Sequence, residues 1–248
     1  MTRTLAANVA LLAVLAAACD RSAPVVRPAP AAAVPSLATR EATPMASSNL
    51  ALSRLCVTEG TLTPQGEHLF IDVPKCRAVS ALATEQAAEL RFTYLGPTAE
   101  TTALGSGRVR RQIGLKLRAQ NGCNLVYAMW RLEPKNEIAV QVKRNPGQAT
   151  FAECENRGYR NVQPQRGGPL PDVAEGSSHV LRAELHGTAL TVWADHALVW
   201  QGDVGADVLD FDGPVGLRTD NGRFAVAFTA GSGDGSAAPR PCAVATGE

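Results

Sequence analysis

Two glutamates stand two apart in "AECENRGY", Glu153 and Glu155, and four aspartates crowd "DVGADVLDFDG", namely Asp203, Asp207, Asp210 and Asp212. Glycoside hydrolysis needs such carboxyls in pairs, one protonated to serve the leaving group and one ionised to attack or to activate water. Glu153 and Glu155 could share one face of a strand, but Cys154 between them and the loop-like "NRGYRN" behind them favour a structural role. The aspartates invite calcium, yet their spacing is not that of an EF-hand loop, with alternating ligands and a later Glu. They read as a solvated loop. "GSG" at 105–107 and 231–233 lacks the strand–turn–helix setting of a nucleophilic serine. No two of the six cysteines fall in a CxxC spacing and the four histidines are scattered, so no zinc site, no other metal and no cofactor are expected.

Sugar recognition asks for different residues. Flat aromatic faces pack on the C–H faces of a sugar ring, while fixed polar groups meet its hydroxyls. Lys116, Arg118, Trp130, Lys143 and Trp193 are the candidates, placed on the polar sides of strands together with Gln112, Gln141, Arg182 and Asp195. The competing reading puts Trp130 and Trp193 over a sheet edge or in a second core. Basic residues among the candidates suit acidic or phosphorylated glycans.

Strands must position these side chains, because the apolar period is two almost everywhere. "ELRFTYL" puts Leu90, Phe92 and Tyr94 on one face, "RQIGLKLRAQ" does the same with Ile113, Leu115, Leu117 and Ala119, and "IAVQVKR" with Ile138, Val140 and Val142. "HVLRAELHGTALTVWADHALVW" reads as a meander turning at His186-Gly187 and at Asp195-His196. In "DFDGPVGLRTDNGRFAVAF", Asp220, Asn221 and Gly222 are turn-forming types between two alternating runs, which predicts a hairpin bend. Only the N-terminal leader and "ATEQAAEL" tempt a helix. With no amphipathic helix to cover them, strands with one apolar face must cover each other: the expected fold is all-β, two antiparallel sheets face to face, over residues 51–230.

The first residues give an address. "MTRTLAANVALLAVLAAAC" has a basic start, an apolar run shorter than the ~20 residues of a permanent span, and small residues before Cys19, the pattern of a secretory signal over 1–18. "LAAAC" resembles the bacterial lipobox, with Leu15 one place earlier than usual and Ala16 in its stead. The resemblance implies lipidation of Cys19 and a membrane anchor. Residues 19–50, rich in Ala and Pro, read as an extended tether, and 231–248 as a disordered tail. Export permits disulfides. Cys123 with Cys154 is the first pairing and Cys56 with Cys76 the second, leaving Cys242 over.

Without the leader, and so without Arg3, 23 basic residues face 23 acidic ones. Residues 101–170 hold twelve Lys and Arg against four Asp and Glu, whereas 171–235 hold three against ten. Two segments folding together explains that asymmetry; an anion-binding face is the alternative. Nucleic acid is disfavoured by neutrality and export.

From Ser178 to Thr229 the order strand, Gly turn, strand, short hairpin, acidic loop, then "GPVGLRTDNGRFAVAF" resembles the closing portion of concanavalin A-like lectin/glucanase (laminin-G-like) domains. The resemblance implies a jelly-roll sandwich that often binds carbohydrate and sometimes hydrolyses it. The Glu-x-Asp-x-x-Glu triplet of its laminarinase-like members is absent. The expectation is a monomeric, membrane-tethered, non-catalytic lipoprotein of the bacterial envelope, facing the periplasm or the cell surface, with a carbohydrate or envelope glycan as partner. The alternatives are a glycoside hydrolase of the glucanase class and a structural lipoprotein without a small ligand.

Overall fold

Alternating side chains make a strand two-faced, and a sheet of such strands must be covered on its apolar side. The computed structural model describes residues 51–82, 86–231 and Cys242, all within one compact unit. The leader, Cys19, the tether and the tail apart from Gly231 and Cys242 lie outside the described residues, as do Ala83–Glu85 of "ATEQAAEL"; its last four residues open a strand.

Among the described residues the strands are, in chain order, β1 (Leu55–Glu59), β2 (Thr63–Gln65), β3 (His68–Ile71), β4 (Lys75–Ser80), β5 (Ala87–Pro97), β6 (Arg111–Leu117), β7 (Leu125–Glu133), β8 (Glu137–Lys143), β9 (Tyr159–Val162), β10 (Arg166–Gly167), β11 (Ser178–His186), β12 (Ala189–Ala194), β13 (Ala197–Asp203), β14 (Gly216–Asp220) and β15 (Gly222–Ala230). One helical turn, α1 (Phe151–Cys154), follows β8. The strands form a seven-stranded sheet in the order β1-β4-β14-β6-β7-β8-β9 and an eight-stranded sheet in the order β10-β13-β12-β11-β5-β15-β3-β2. Every pairing is antiparallel. This is the expected two-sheet jelly-roll sandwich.

The core lies between the sheets. Ile113, Leu115 and Leu117 of β6 and Val140 and Val142 of β8 share it with Leu90, Phe92 and Tyr94 of β5 and with Phe224, Val226 and Phe228 of β15. Ala119, expected to continue the β6 face, packs instead in a small second cluster with Leu125, Tyr127 and Met129. The meander β11–β12–β13 forms as expected, and Asp195 and His196, at φ 46° and 69°, make the two-residue turn with left-handed backbone that suits a hairpin.

Three expectations need correction. Asp220-Asn221-Gly222 is not a hairpin bend: β14 belongs to the seven-stranded sheet and β15 to the eight-stranded one, so Asn221, at φ 55°, carries the chain from one layer to the other. The residue types were those of a left-handed corner, but nothing local says which sheet the next strand joins.

Trp130 does not face solvent. It is fully buried between the sheets, edge-on to Phe92 at 5.6 Å, because Val126, Ala128 and Trp130 form the inner face of β7. The Cys123–Cys154 bond is present, but Cys56 bonds Cys242 and Cys76 is the free thiol. Cys56 sits beside Val79 in the ladder, and Cys76, three positions from Val79, points to the opposite face, so the two cannot meet. Burial pushes the Cys76 thiol up to about 12. Glu153 has the structural role favoured for it: it lies in α1, where its carboxylate accepts the amides of Ala149 and Thr150 as half of a capping box.

Candidate functional site

The outer face of the seven-stranded sheet is built by register. Opposed residues on neighbouring strands point the same way, so outward side chains line up in rows across the sheet. One row is Arg77, Arg218, Gly114, Met129 and Ala139; the next is Lys75, Asp220, Gln112, Arg131 and Glu137; a third is Gly216, Lys116, Tyr127, Gln141 and Asn161. Gly114 is the low point of its row: a Cβ there would come within 2.6 Å of the Met129 sulfur. The loop before β6 and the segment between β8 and β9 complete the lining over these rows and meet where Gly105 lies against the Asn156 side chain, around a groove of 610 Å³.

Both segments are anchored. The Asn221 side chain accepts the Thr102 amide at 2.7 Å and donates to the carbonyls of Thr102 and Arg110, both at 2.9 Å, which holds the loop before β6 to the corner of the sandwich. The Cys123–Cys154 bond fastens α1 in the other segment. α1 brings Phe151 to Lys143, whose ammonium stands 5.2 Å from the Phe151 ring and 5.1 Å from that of Tyr159 and donates to the Gly122 carbonyl.

Beneath the groove lies a buried charge network. Asp220 accepts from Arg77 at 2.8 Å, from Arg218 at 2.9 Å and from Gln112 at 2.7 Å. Burial alone would raise its carboxyl, but Arg218 and Arg77 hold it below its ordinary value. Arg218 also stacks over the Tyr127 ring at 4.9 Å, and Tyr127 lies nearly parallel to Tyr159 with centroids 6.3 Å apart. Farther along, Arg131 pairs with Glu137 at 2.6 Å. Desolvation pushes the Glu137 carboxyl up, but hydrogen bonds from Arg131 and Lys135 leave it lowered. Gln141 donates to Asn161 at 2.7 Å, and each amide keeps further hydrogen-bonding positions.

The cations outnumber the anions. Lys75, Arg77, Arg108, Arg110, Arg131, Lys143 and Arg218 line the groove against Glu59 and Glu137. The side chains of Arg108 and Arg110 meet no carboxylate among the described residues. Burial lowers the Arg110 guanidinium, and the positive charges of Arg131 and Arg108 lower it further.

The five side chains proposed from sequence are not brought together. Lys143 lines the groove. Lys116 points to the same face but is fully buried between Gly216 and Tyr127 in its row. Arg118, at φ 47°, has left the strand and donates to the carbonyls of Val208 and Phe211, stitching the acidic loop to the end of β6. Trp130 is in the core, and Trp193 lies on the other sheet, 93% covered, with the Arg182 guanidinium 5.5 Å from its ring. The aromatic residues lining the groove are Tyr127, Phe151, Tyr159 and Trp200 instead. Alternation could not select Tyr127, because Leu125, Tyr127 and Met129 make the outer face of β7 as apolar as its inner one. The acidic loop is engaged elsewhere: Asp203 accepts from Thr188, Asp207 from Arg160 and Asp210 from Arg144. The basic middle and the acidic last third therefore do meet, but beside the groove.

A second constellation has a catalytic outline. Ser177 Oγ lies 2.8 Å from His179 Nε2, and His179 Nδ1 lies 2.8 Å from Asp195. The imidazole packs on Phe92 and Trp130, the Ser177 hydroxyl also reaches the Ala174 carbonyl at 2.6 Å, and the amides of Gly176 and Ser177 already donate to Tyr94 and Ala174. With those amides occupied it fits a clasp on the turn before β11 better than acyl transfer, which needs amides aimed at an oxyanion.

No family model and no curated protein matches the chain. Among solved structures it is similar to the carbohydrate-binding module CBM66 from Bacillus subtilis, with TM-score 0.50 and 13% identity over 71% of this chain and 96% of that one. Others are the carbohydrate recognition domain of Emp46p in its metal-free form, with TM-score 0.45, 9% identity and 73% and 90% covered, and SCLam, a non-specific endo-beta-1,3(4)-glucanase from family GH16, with TM-score 0.40, 10% identity and 66% and 70% covered. At such identity the likeness to CBM66 is one of fold.

Proposed function

We propose that the chain binds carbohydrate in the groove on the outer face of the seven-stranded sheet and that a lipid on Cys19 tethers it to the bacterial envelope. The observation that carries the binding half is a groove of 610 Å³ in which the half-buried Tyr159, backed by the buried Tyr127, stands beside the amide groups of Gln141 and Asn161. Apolar ring faces next to fixed donors and acceptors match the two sides of a pyranose. The likeness in fold to a carbohydrate-binding module agrees with this.

Binding is favoured over hydrolysis by the state of Glu137 in the groove. Against the opposing effect of burial, Glu137 is held ionised by hydrogen bonds from Arg131 and Lys135. An acid catalyst needs the opposite, a carboxyl kept protonated near neutrality. The tether reading rests on "LAAAC" and the Ala/Pro-rich stretch behind it.

A glycan array probed with the full chain tests the binding, followed by titration of the Tyr159→Ala variant against the best ligand. Binding that weakens by more than about 1 kcal/mol in the variant is expected for a stacking residue. The absence of any glycan bound, or reducing-sugar release from a bound polysaccharide, would overturn the reading.

A further inference from the structure

We infer that the ligand of the groove is a polysaccharide carrying carboxylate or sulfate groups, held through Arg108 and Arg110. The inference rests on the carbohydrate reading above and names the class of sugar.

The first argument is charge. Seven cations line the groove; Glu59 and Glu137 line it too, and Asp220 lies beneath, so 7 − 3 leaves a surplus of four positive charges on one face of a chain that is close to neutral as a whole. Most of the seven are engaged: Arg77 and Arg218 with Asp220, Arg131 with Glu137, and Lys143 with the Gly122 carbonyl. Arg108 and Arg110 form no direct ion pair among the described residues, Glu137 acting on Arg110 only from a distance, and they stand on the wall that the Asn221 hydrogen bonds hold in place. A guanidinium offers a planar fork of donors that matches a carboxylate or a sulfate, and a preset position spares the cost of ordering it. Burial, and then the like charges of Arg131 and Arg108, disfavour the Arg110 cation more than Glu137 favours it, and a bound anion would offset both.

The second argument is extent. The groove is lined from Glu59 on β1 to Asn161 on β9, across all seven strands of the sheet. Six gaps of ~4.8 Å make a span of about 29 Å, longer than one sugar ring. Gln141, Asn161 and the half-buried Tyr159, beside rows bearing arginines, can contact a sugar and its acid groups at the same time. A chain of sugars with acidic substituents meets both demands.

The test titrates the full chain with four polymers at fixed salt: polygalacturonate, dextran sulfate, neutral dextran and polyphosphate. The wild type is expected to bind polygalacturonate or dextran sulfate at least tenfold tighter than dextran, and whichever is tighter tells carboxylate from sulfate. Arg108→Gln with Arg110→Gln should remove that preference; Arg108→Glu alone, at an exposed position, should weaken it and serves if the double variant does not fold. Equal binding of dextran, or a preference unchanged in these variants, overturns the acidic class while leaving carbohydrate binding intact. Polyphosphate bound as tightly as the acidic polysaccharides, with Tyr159→Ala without effect, overturns both, because charge alone would then explain the groove. No polymer bound also overturns both.

Discussion

Asp220 is the residue whose environment departs most from what its type suggests. Its carboxylate is fully buried beneath the groove and is answered by two arginines and an amide, so removing its charge leaves Arg77 and Arg218 uncompensated. Asp220→Asn should cost about 3–5 kcal/mol in a denaturant titration. The sign of its pH dependence follows from the lowered carboxyl: ionised Asp220 stabilises the fold above the ordinary aspartate value of about 4, and that contribution is lost as pH falls through the lower folded-state value. Acid unfolding of the wild type should therefore contain a component that the Asn variant lacks; parallel pH curves for the two would refute it. Trp130 illustrates the reverse case, a residue that looks fit for sugar stacking and is core. Trp130→Ala should destabilise by about 3–5 kcal/mol through the cavity it opens, and purified folded variant should bind glycan like wild type.

At the scale of elements, the groove depends on two walls that are not strands. Asn221 holds the loop before β6 by three hydrogen bonds, and Asn221→Gly would keep the left-handed backbone while deleting them. Three backbone groups left without their partner predict a loss of roughly 1–3 kcal/mol for each that stays dry, together with faster amide exchange at Thr102 and weaker binding through Arg108 and Arg110. Unchanged exchange at Thr102 would show that the corner does not hold the loop. The other wall depends on the Cys123–Cys154 bond, which closes a separation of 31 residues. Cys123→Ser should free the Cys154 thiol for labelling on unfolding and cost about 2–4 kcal/mol, and a wild type whose Cys154 labels without reduction would refute the bond. Alternation and turn types made the strands and the meander legible; these walls were not, because each is fixed by partners far along the chain.

For the whole molecule, the proposed lipid on Cys19 would be the anchor of the sandwich. Cys19→Ala should move the protein from the membrane fraction to the soluble one, and unchanged membrane association would sink the lipoprotein reading. The apolar alternation of β5, β6 and β8, the Asp195-His196 turn and the Cys123–Cys154 pair were determined by the sequence, since each follows from a period, a φ preference or a short separation. Tertiary structure decided the rest. Cys56 found a partner 186 residues away because Cys76 points to the other face of the sheet. The chain crossed between sheets at Asn221 although its residue types equally suit a hairpin. Tyr127, not Trp130, reached the groove because both faces of β7 are apolar and only packing against the second sheet chooses between them. The groove itself joins β4 to β14 and β14 to β6 across more than a hundred residues. A strand's own pattern specifies which residues share its face, but the register with strands so distant is set by burying two whole sheets at once, a free energy that no short stretch of sequence contains.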